Sequence, residues 1–138
     1  MENRELVMEA LKARKQAYCP YSGFAVGAAL LCVDDRVFTG CNIENAAYPA
    51  TNCAERTAIF KAVSEGKTEF RAIAIFGGPK GKEPENFCAP CGVCRQVMAE
   101  FCDPETFRII LMNGAGEIRE YLLKELLPLG FTGKALEI

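Results

Sequence analysis

The chain has 138 residues and a formal net charge of −2; half of its residues are hydrophobic and a quarter are charged. This composition predicts one ordered domain over residues 1–138 and differs from that of a disordered chain. Lys and Arg are scattered along the sequence, which argues against a nucleic-acid partner because phosphate binding needs clustered positive charge.

Membrane and secretory features are not expected. No apolar stretch approaches the ~20 residues that a transmembrane helix needs, and the N-terminus lacks the basic-then-apolar order of a signal peptide. We therefore expect a cytoplasmic location without a membrane partner. In that reducing compartment the eight cysteines predict metal binding or free thiols rather than disulfides. The absence of histidine excludes catalytic and metal sites that depend on that residue.

Hydrophobic spacing predicts elements in the order α-β-β-α-β-α-β-β. The first is a helix over residues 5–18. Apolar runs over 24–33 and 37–41, separated by two aspartates and an arginine, predict a β-hairpin. The other predicted elements are a helix over 53–64, a strand over 72–76, a helix over 91–101, and strands over 107–112 and 118–122. This order predicts an α/β fold, a three-layer α/β/α arrangement around one five-stranded mixed sheet.

A loop is predicted over residues 77–86, which are rich in Gly, Pro and charge. Its Gly81-Lys82 pair suggests a phosphate-binding P-loop. However, Glu83 and Phe76 stand where that motif requires a hydroxyl residue and a glycine. We therefore exclude a P-loop.

Cysteines at two predicted helix starts predict a metal site. Cys91 and Cys94, in the segment 89–94 (APCGVC), span one helical turn, so both sulfurs face the same way. Cys53 begins another helix, and the positive end of a helix favours the thiolate, the form that binds zinc. Three thiolates leave the fourth tetrahedral position open, as in catalytic zinc sites. Glu55 lies close enough in sequence to reach that position.

The residues alone leave two alternatives at this site. Cys88 forms an overlapping CxxC pair with Cys91, so the thiols could make a closed structural site of four thiolates. Pro90, which separates Cys88 from the helix start, argues against that arrangement. Glu55 could be a capping glutamate, because it stands three residues after Asn52.

These motifs resemble those of the zinc nucleoside and nucleobase deaminases. Residues 19–29 (CPYSGFAVGAA) and 40–48 (GCNIENAAY) are similar to the small homotetrameric cytidine deaminases in particular, and the resemblance covers essentially the whole chain. It implies a cytidine deaminase-like fold and hydrolytic deamination of cytidine and deoxycytidine to uridine and deoxyuridine, with release of ammonia, in pyrimidine salvage. One Zn²⁺ per subunit would be bound by Cys53, Cys91 and Cys94. Glu55 would carry protons between water, ring N3 and the departing amino group.

The resemblance also implies substrate contacts. Asn42 and Glu44 would hydrogen-bond the ribose 3′-hydroxyl, Phe24 would pack beside the base, and the backbone of Ala54 would read the pyrimidine edge. From the residues alone, Asn42 and Glu44 could also be turn-forming residues after a strand, and Phe24 a core residue. The contacts implied to come from neighbouring subunits of a homotetramer with shared active sites are Ala46, Tyr48 and Phe131.

Arg56 is predicted to adjust the charge of the metal site. Zinc with three thiolates carries a formal charge of −1, which opposes ionisation of a bound water. Arg56, next to Glu55, could offset this charge by hydrogen-bonding the ligating sulfurs, a role that the family resemblance supports. The alternative is an ion pair with a carboxylate on the helix surface.

Two other functions remain open at this stage. A deaminase of another aminated base, such as blasticidin S, would share the zinc motifs but is not expected to combine Phe24 with the segment Asn42-Ile43-Glu44-Asn45. A non-catalytic structural zinc module would account for the cysteines and leave Glu55 unexplained.

Overall fold

The computed structural model describes residues 1–136 and confirms the predicted order of the main elements. The helices are α1 (Asn3–Arg14), α2 (Ala54–Ser64), α3 (Gly92–Phe101) and the short α4 (Leu123–Leu126). The strands are β1 (Phe24–Cys32), β2 (Val37–Cys41), β3 (Phe70–Pro79), β4 (Arg108–Met112) and β5 (Ile118–Leu122). Two 3₁₀ turns, Tyr48–Ala50 and Gly133–Leu136, and helix α4 were not predicted. No helix within residues 1–136 has the length and hydrophobicity to span a bilayer.

All five strands form one mixed sheet in the order β2-β1-β3-β4-β5. Strand β1 is antiparallel to both β2 and β3, and β5 is antiparallel to β4. Strands β3 and β4 are parallel, and α3 lies between them in the chain, because parallel neighbours need a crossover connection. The predicted hairpin and mixed sheet are confirmed.

Side chains of the central strands alternate between two hydrophobic layers, because successive residues of a strand point to opposite faces. In β3, Ala74 and Phe76 belong to the layer formed with α1, whereas Ile73 and Ile75 belong to the layer formed with α2 and α3. Strands β1 and β4 divide in the same way. Helices cover both faces, which explains why these strands are nearly continuous apolar runs. The three-layer prediction is confirmed.

Two predicted boundaries were wrong by three or more residues. Helix α1 ends at Arg14 rather than Tyr18, because Tyr18 instead forms a parallel β-bridge with Ile43. Strand β3 continues to Pro79, so Gly77 and Gly78 belong to the strand and not to the predicted loop. Glycine is unusual inside a strand unless another backbone approaches closely. A Cβ added to Gly78 would lie 2.9 Å from the Cα of Pro84, which shows that close approach.

Candidate active site

Three cysteine sulfurs converge where α2 and α3 begin. Cys53 and Cys91 are the N-cap residues of these helices, and Cys94 lies in the first turn of α3. The Sγ atom of Cys91 is 3.8 Å from that of Cys53 and 3.5 Å from that of Cys94. All three sulfurs lie within 4.8 Å of one another. Two helix N-termini, with their free N–H groups and positive dipole ends, thus face one thiol cluster.

Close packing of α2 on the sheet fixes the position of Cys53. A Cβ added to Gly40 of β2 would lie 2.5 Å from the carbonyl oxygen of Ala54 and 2.6 Å from the nitrogen of Ala58. Only glycine therefore allows the first turn of α2 to lie this close to β2. The sheet thereby sets the position of the helix start that carries Cys53 and Glu55.

Arg95 fixes the segment that precedes Cys91. Its Nε donates to the carbonyl of Pro90 at 2.8 Å, and its Nη1 donates to the carbonyl of Leu126, also at 2.8 Å. The Arg95 guanidinium thus connects Pro90, the residue before Cys91, to Leu126, the last residue of α4. The planar fork of donors on Arg suits such a two-carbonyl contact.

Hydrogen bonds within the cluster favour ionisation of one thiol. Donation from Cys94, and to a lesser extent from Arg56 and Cys91, lowers the pKa of Cys53 to about 5. The same contact with Cys53, together with burial, raises the pKa of Cys94. Cys53 is therefore the first of these two thiols to become a thiolate.

Arg56 lies against the cluster. Its Nη2 is 3.3 Å from the Sγ of Cys53. None of the salt bridges among the described residues involves Arg56, so the surface ion pair is not seen. The Nε of Arg56 is buried and has no hydrogen-bond partner within residues 1–136. The chain thus bears a desolvation cost to keep this positive charge at the sulfurs.

Glu55 is a buried carboxyl group beside the thiols. Its residue is 4 % exposed. Burial raises its pKa to about 7, and the neighbouring Cys53 contributes to the rise. The N-cap of α2 is Cys53, and Glu55 is the second helical residue, so the proposed capping arrangement with Asn52 is not observed. A carboxyl group with a pKa near neutrality is suited to both accept and donate a proton.

Cys88 lies beside the cluster but is not part of it. It is absent from the one group of three or more potential metal ligands that the described residues form. A Cβ added to Gly77 would lie 3.2 Å from its Sγ, so the sulfur packs against β3. Burial, with the nearby charges of Glu55 and Cys53, raises the pKa of Cys88 to about 12. The position of Cys88 outside that group does not support the four-thiolate alternative.

The predicted ribose and base contacts surround the start of β1. The Oδ1 of Asn42 accepts from the N–H of Val26 at 2.9 Å, and its Nδ2 donates to the carbonyl of Phe24 at 2.8 Å. The carboxylate of Glu44 accepts from the N–H groups of Tyr21 at 2.9 Å and Ser22 at 3.1 Å. Phe24 is 41 % exposed, so it is not a core residue.

The remaining predicted contacts fall into two groups. Ala54 is buried as the first residue of α2, where its N–H has no intrahelical acceptor. Ala46 is exposed, and Tyr48 and Phe131 are 87 % and 59 % exposed. The carbonyl of Phe131 accepts from the Nε2 of Gln96 at 2.7 Å. No hydrogen bond within residues 1–136 connects Ala46, Tyr48 or Phe131 to the thiols or to Glu55.

Comparison with known proteins identifies the family. Residues 1–110 match the model described as the cytidine and deoxycytidylate deaminase zinc-binding region. The chain belongs to this family. A cytidine deaminase from Sporosarcina psychrophila is 49% identical over 99% of this chain and 96% of its own. One from Halalkalibacterium halodurans is 52% identical over 97% of each chain. The crystal structure of a cytidine deaminase from Burkholderia pseudomallei is 47% identical, with a TM-score of 0.86 over 95% of this chain and all of the other.

The thiol cluster has the donors that zinc requires. Zinc prefers thiolate ligands in tetrahedral geometry, and three sulfurs within 4.8 Å of one another can surround one ion. The family match describes a zinc-binding region that spans all three cysteines. The protein therefore binds one zinc ion per chain, and these thiols are the ligand set that the described residues offer.

Two site residues were missed by sequence reasoning. Ser22 contacts both Glu44 and Phe24, and Arg95 connects Pro90 to Leu126. The Ser22-Gly23 pair before β1 was a turn signal that could have drawn attention to Ser22. Arg95 gave no comparable signal, because its acceptors are backbone carbonyls.

Proposed function

We propose that this family member catalyses the hydrolytic deamination of cytidine and deoxycytidine to uridine and deoxyuridine, with release of ammonia. The observation that carries the proposal is the buried Glu55, with its pKa raised to about 7, beside the three thiols. A structural zinc site has no use for a buried titratable carboxyl, whereas deamination needs a group that moves protons. The activity named for the similar bacterial proteins supports the same reaction.

The protein's own groups perform the proton transfers and hold the substrate. A zinc ion held by Cys53, Cys91 and Cys94 would supply a Lewis acid that lowers the pKa of water. Glu55 takes a proton from the attacking water and gives it to ring N3. It then takes the remaining proton of the new C4 hydroxyl group and delivers it to the departing amino group, so that C4 becomes a carbonyl. The new C4–O bond replaces the C4–N bond, and the amino group leaves as ammonia.

Four residues orient the nucleoside in this proposal. The free N–H of Ala54 donates to the pyrimidine edge, and the exposed ring of Phe24 packs beside the base. Asn42 and Glu44 bind the ribose 3′-hydroxyl, for which an amide and a carboxylate supply a donor and an acceptor. The Asn42 amide retains one N–H and one lone pair after its two bonds to β1.

Arg56 is assigned to the metal in the same proposal. Its contact with the Cys53 sulfur would withdraw negative charge from the thiolates, which strengthens the Lewis acidity of the ion. The two helix N-termini would act in the same direction.

We also infer that the active enzyme is a homotetramer in which Ala46, Tyr48 and Phe131 enter the site of a neighbouring subunit. The exposure of Tyr48 and Phe131 in the single chain supports this arrangement. Sedimentation of the active protein tests it, and a fully active monomer would contradict it. Conversion of a cytosine nucleoside to a uracil nucleoside suits pyrimidine salvage in the cytoplasm.

A substrate comparison tests the function. The purified zinc-loaded protein is incubated with cytidine, deoxycytidine, cytosine and blasticidin S, and loss of the amino group is followed by absorbance. We expect turnover of the two nucleosides. Turnover of blasticidin S alone would favour the alternative deaminase, and zinc-loaded protein without any turnover would favour a structural module.

A further inference from the structure

Ser22 connects two residues that the proposed function assigns to the substrate. Its hydroxyl donates to the Oε2 of Glu44 and accepts from the N–H of Phe24 at 3.0 Å. A serine hydroxyl has one proton to donate. Because the N–H of Phe24 points at the oxygen, that proton is available to the carboxylate, and both contacts form together.

The orientation of Glu44 depends on the turn that contains Ser22. Its Oε1 accepts from the backbone N–H groups of Tyr21 and Ser22, and the Ser22 hydroxyl is the donor to Oε2 within the described chain. No salt bridge of residues 1–136 involves Glu44. Neutral donors from Tyr21 and Ser22 therefore hold the Glu44 carboxylate. Two of these donors are backbone N–H groups, and the third is the side-chain hydroxyl of Ser22.

The turn itself is defined by backbone geometry. Gly23 has a φ of +67°, a conformation that glycine adopts at little cost. Its N–H donates to the carbonyl of Cys19 at 3.0 Å, and its own carbonyl accepts from the N–H of Lys80 at 2.7 Å. These bonds hold the Ser22 hydroxyl between β1 and the segment that carries Glu44.

Phe24 is held from both of its peptide groups. Its N–H donates to Ser22, and its carbonyl accepts from the Nδ2 of Asn42 at 2.8 Å. Loss of the Ser22 hydroxyl would leave Asn42 as the side chain that holds this first residue of β1. The predicted base contact and the predicted ribose contact thus share one hydroxyl group.

We propose that Ser22 is a positioning residue for nucleoside binding, which sets the Glu44 carboxylate for the ribose and the start of β1 for the base. The inference rests on the proposed function, because it takes Glu44 and Phe24 as substrate contacts. Ser22 touches no reacting atom, so it acts on substrate affinity much more than on the chemical step.

The kinetics of Ser22→Ala test this role. We expect the KM for cytidine to rise about 5- to 10-fold, less than loss of a full hydrogen bond to a charged group would give, since Glu44 keeps two backbone donors. The kcat should change less than about twofold. Ser22→Thr, which keeps the hydroxyl, should restore most of the KM. The matched control is Ser64→Ala, whose hydroxyl donates to the carbonyl of Lys61 at the end of α2.

A substrate without ribose hydroxyls separates positioning from general damage. With 2′,3′-dideoxycytidine the ratio of variant to wild-type KM should fall to about twofold, because the contact to Glu44 no longer contributes. The proposal would be overturned if the KM of Ser22→Ala for cytidine were unchanged, or if Ser22→Thr raised that KM equally. It would also be overturned if the ratio of variant to wild-type KM were the same for both substrates. Wild-type protein that turned over no cytidine would overturn the proposed function, and this inference with it. If the wild type turned over cytidine and Ser22→Ala had the same KM as the wild type, this inference alone would be overturned.

Discussion

The two sides of the candidate site are built in different ways. On the metal side, the starts of α2 and α3 bring three sulfurs within 4.8 Å of one another. On the nucleoside side, side chains from the turn 21–23 and from residues 42–44 bond to backbone groups near the start of β1. Secondary structure therefore positions the metal ligands, and side-chain hydrogen bonds position the proposed nucleoside contacts.

This difference sets the size of the effects that substitutions should have. Removal of a metal ligand deletes a bond that no neighbouring group replaces, and the ion is lost with its chemistry. Removal of one hydrogen bond from the nucleoside side leaves others in place, as Glu44 shows with its three donors. The loss of one hydrogen bond typically costs about 1 kcal/mol of free energy.

The largest effect is expected at the thiols. Cys94→Ala should reduce the zinc content from about one ion per chain to near zero and abolish turnover, because two thiolates do not complete a catalytic zinc site. Cys88→Ala is the matched control and should retain both zinc and activity. Elemental analysis of the purified variants measures the difference. Equal zinc loss in both would mean that Cys88 is a fourth ligand.

The next effect is expected at Glu55. Glu55→Gln keeps the volume of the side chain but cannot move a proton, so kcat should fall by roughly 10²- to 10⁴-fold. Zinc content should stay at about one ion per chain. Glu65→Gln, at the exposed C-terminal end of α2, should leave the kcat unchanged. A nearly normal kcat in Glu55→Gln would remove this carboxylate from the mechanism.

The same contrast explains what the sequence could predict. Cys91 and Cys94 were recognisable because their spacing along a helix start determines which way the side chains face. Cys53 was recognisable because it stands at the start of another predicted helix. The three-layer arrangement was predictable from the order of helices and strands along the chain. The joint contacts of Ser22 with Glu44 and Phe24 were not, because a turn residue can bond to many partners and only the folded chain selects among them.

A smaller effect on the metal side is expected at Arg56. Arg56→Gln removes the positive charge next to the Cys53 sulfur, which should lower zinc affinity and kcat by roughly 10-fold, the lower end for groups that support metal ligands. Zinc retention against a competing chelator and cytidine kinetics should be measured on the same preparation. Arg71→Gln removes an exposed charge that pairs with Asp35 and serves as the control. Wild-type values of both quantities in Arg56→Gln would show that the sulfur contact has no influence on the ion.

Among these four variants, the smallest effect on activity is expected at Asn42, and this variant most directly probes the contrast between the two sides. Asn42→Ala deletes both bonds to β1 and leaves the N–H of Val26 and the carbonyl of Phe24 without those partners. The free energy of unfolding should fall by about 1 to 3 kcal/mol, measured by urea denaturation at fixed protein concentration.

The KM for cytidine should rise in the same variant, because the amide is also proposed to bind the ribose. Asn113→Ala is the informative control. Its side chain accepts from the N–H groups of Ala115 and Glu117 in the turn before β5, so its loss should reduce stability without changing the KM. If Asn42→Ala behaved like Asn113→Ala, with lower stability and an unchanged KM, then Asn42 would hold only the strand. The nucleoside side would then depend on Glu44 for the ribose, and on Asn42 only through the position of Phe24.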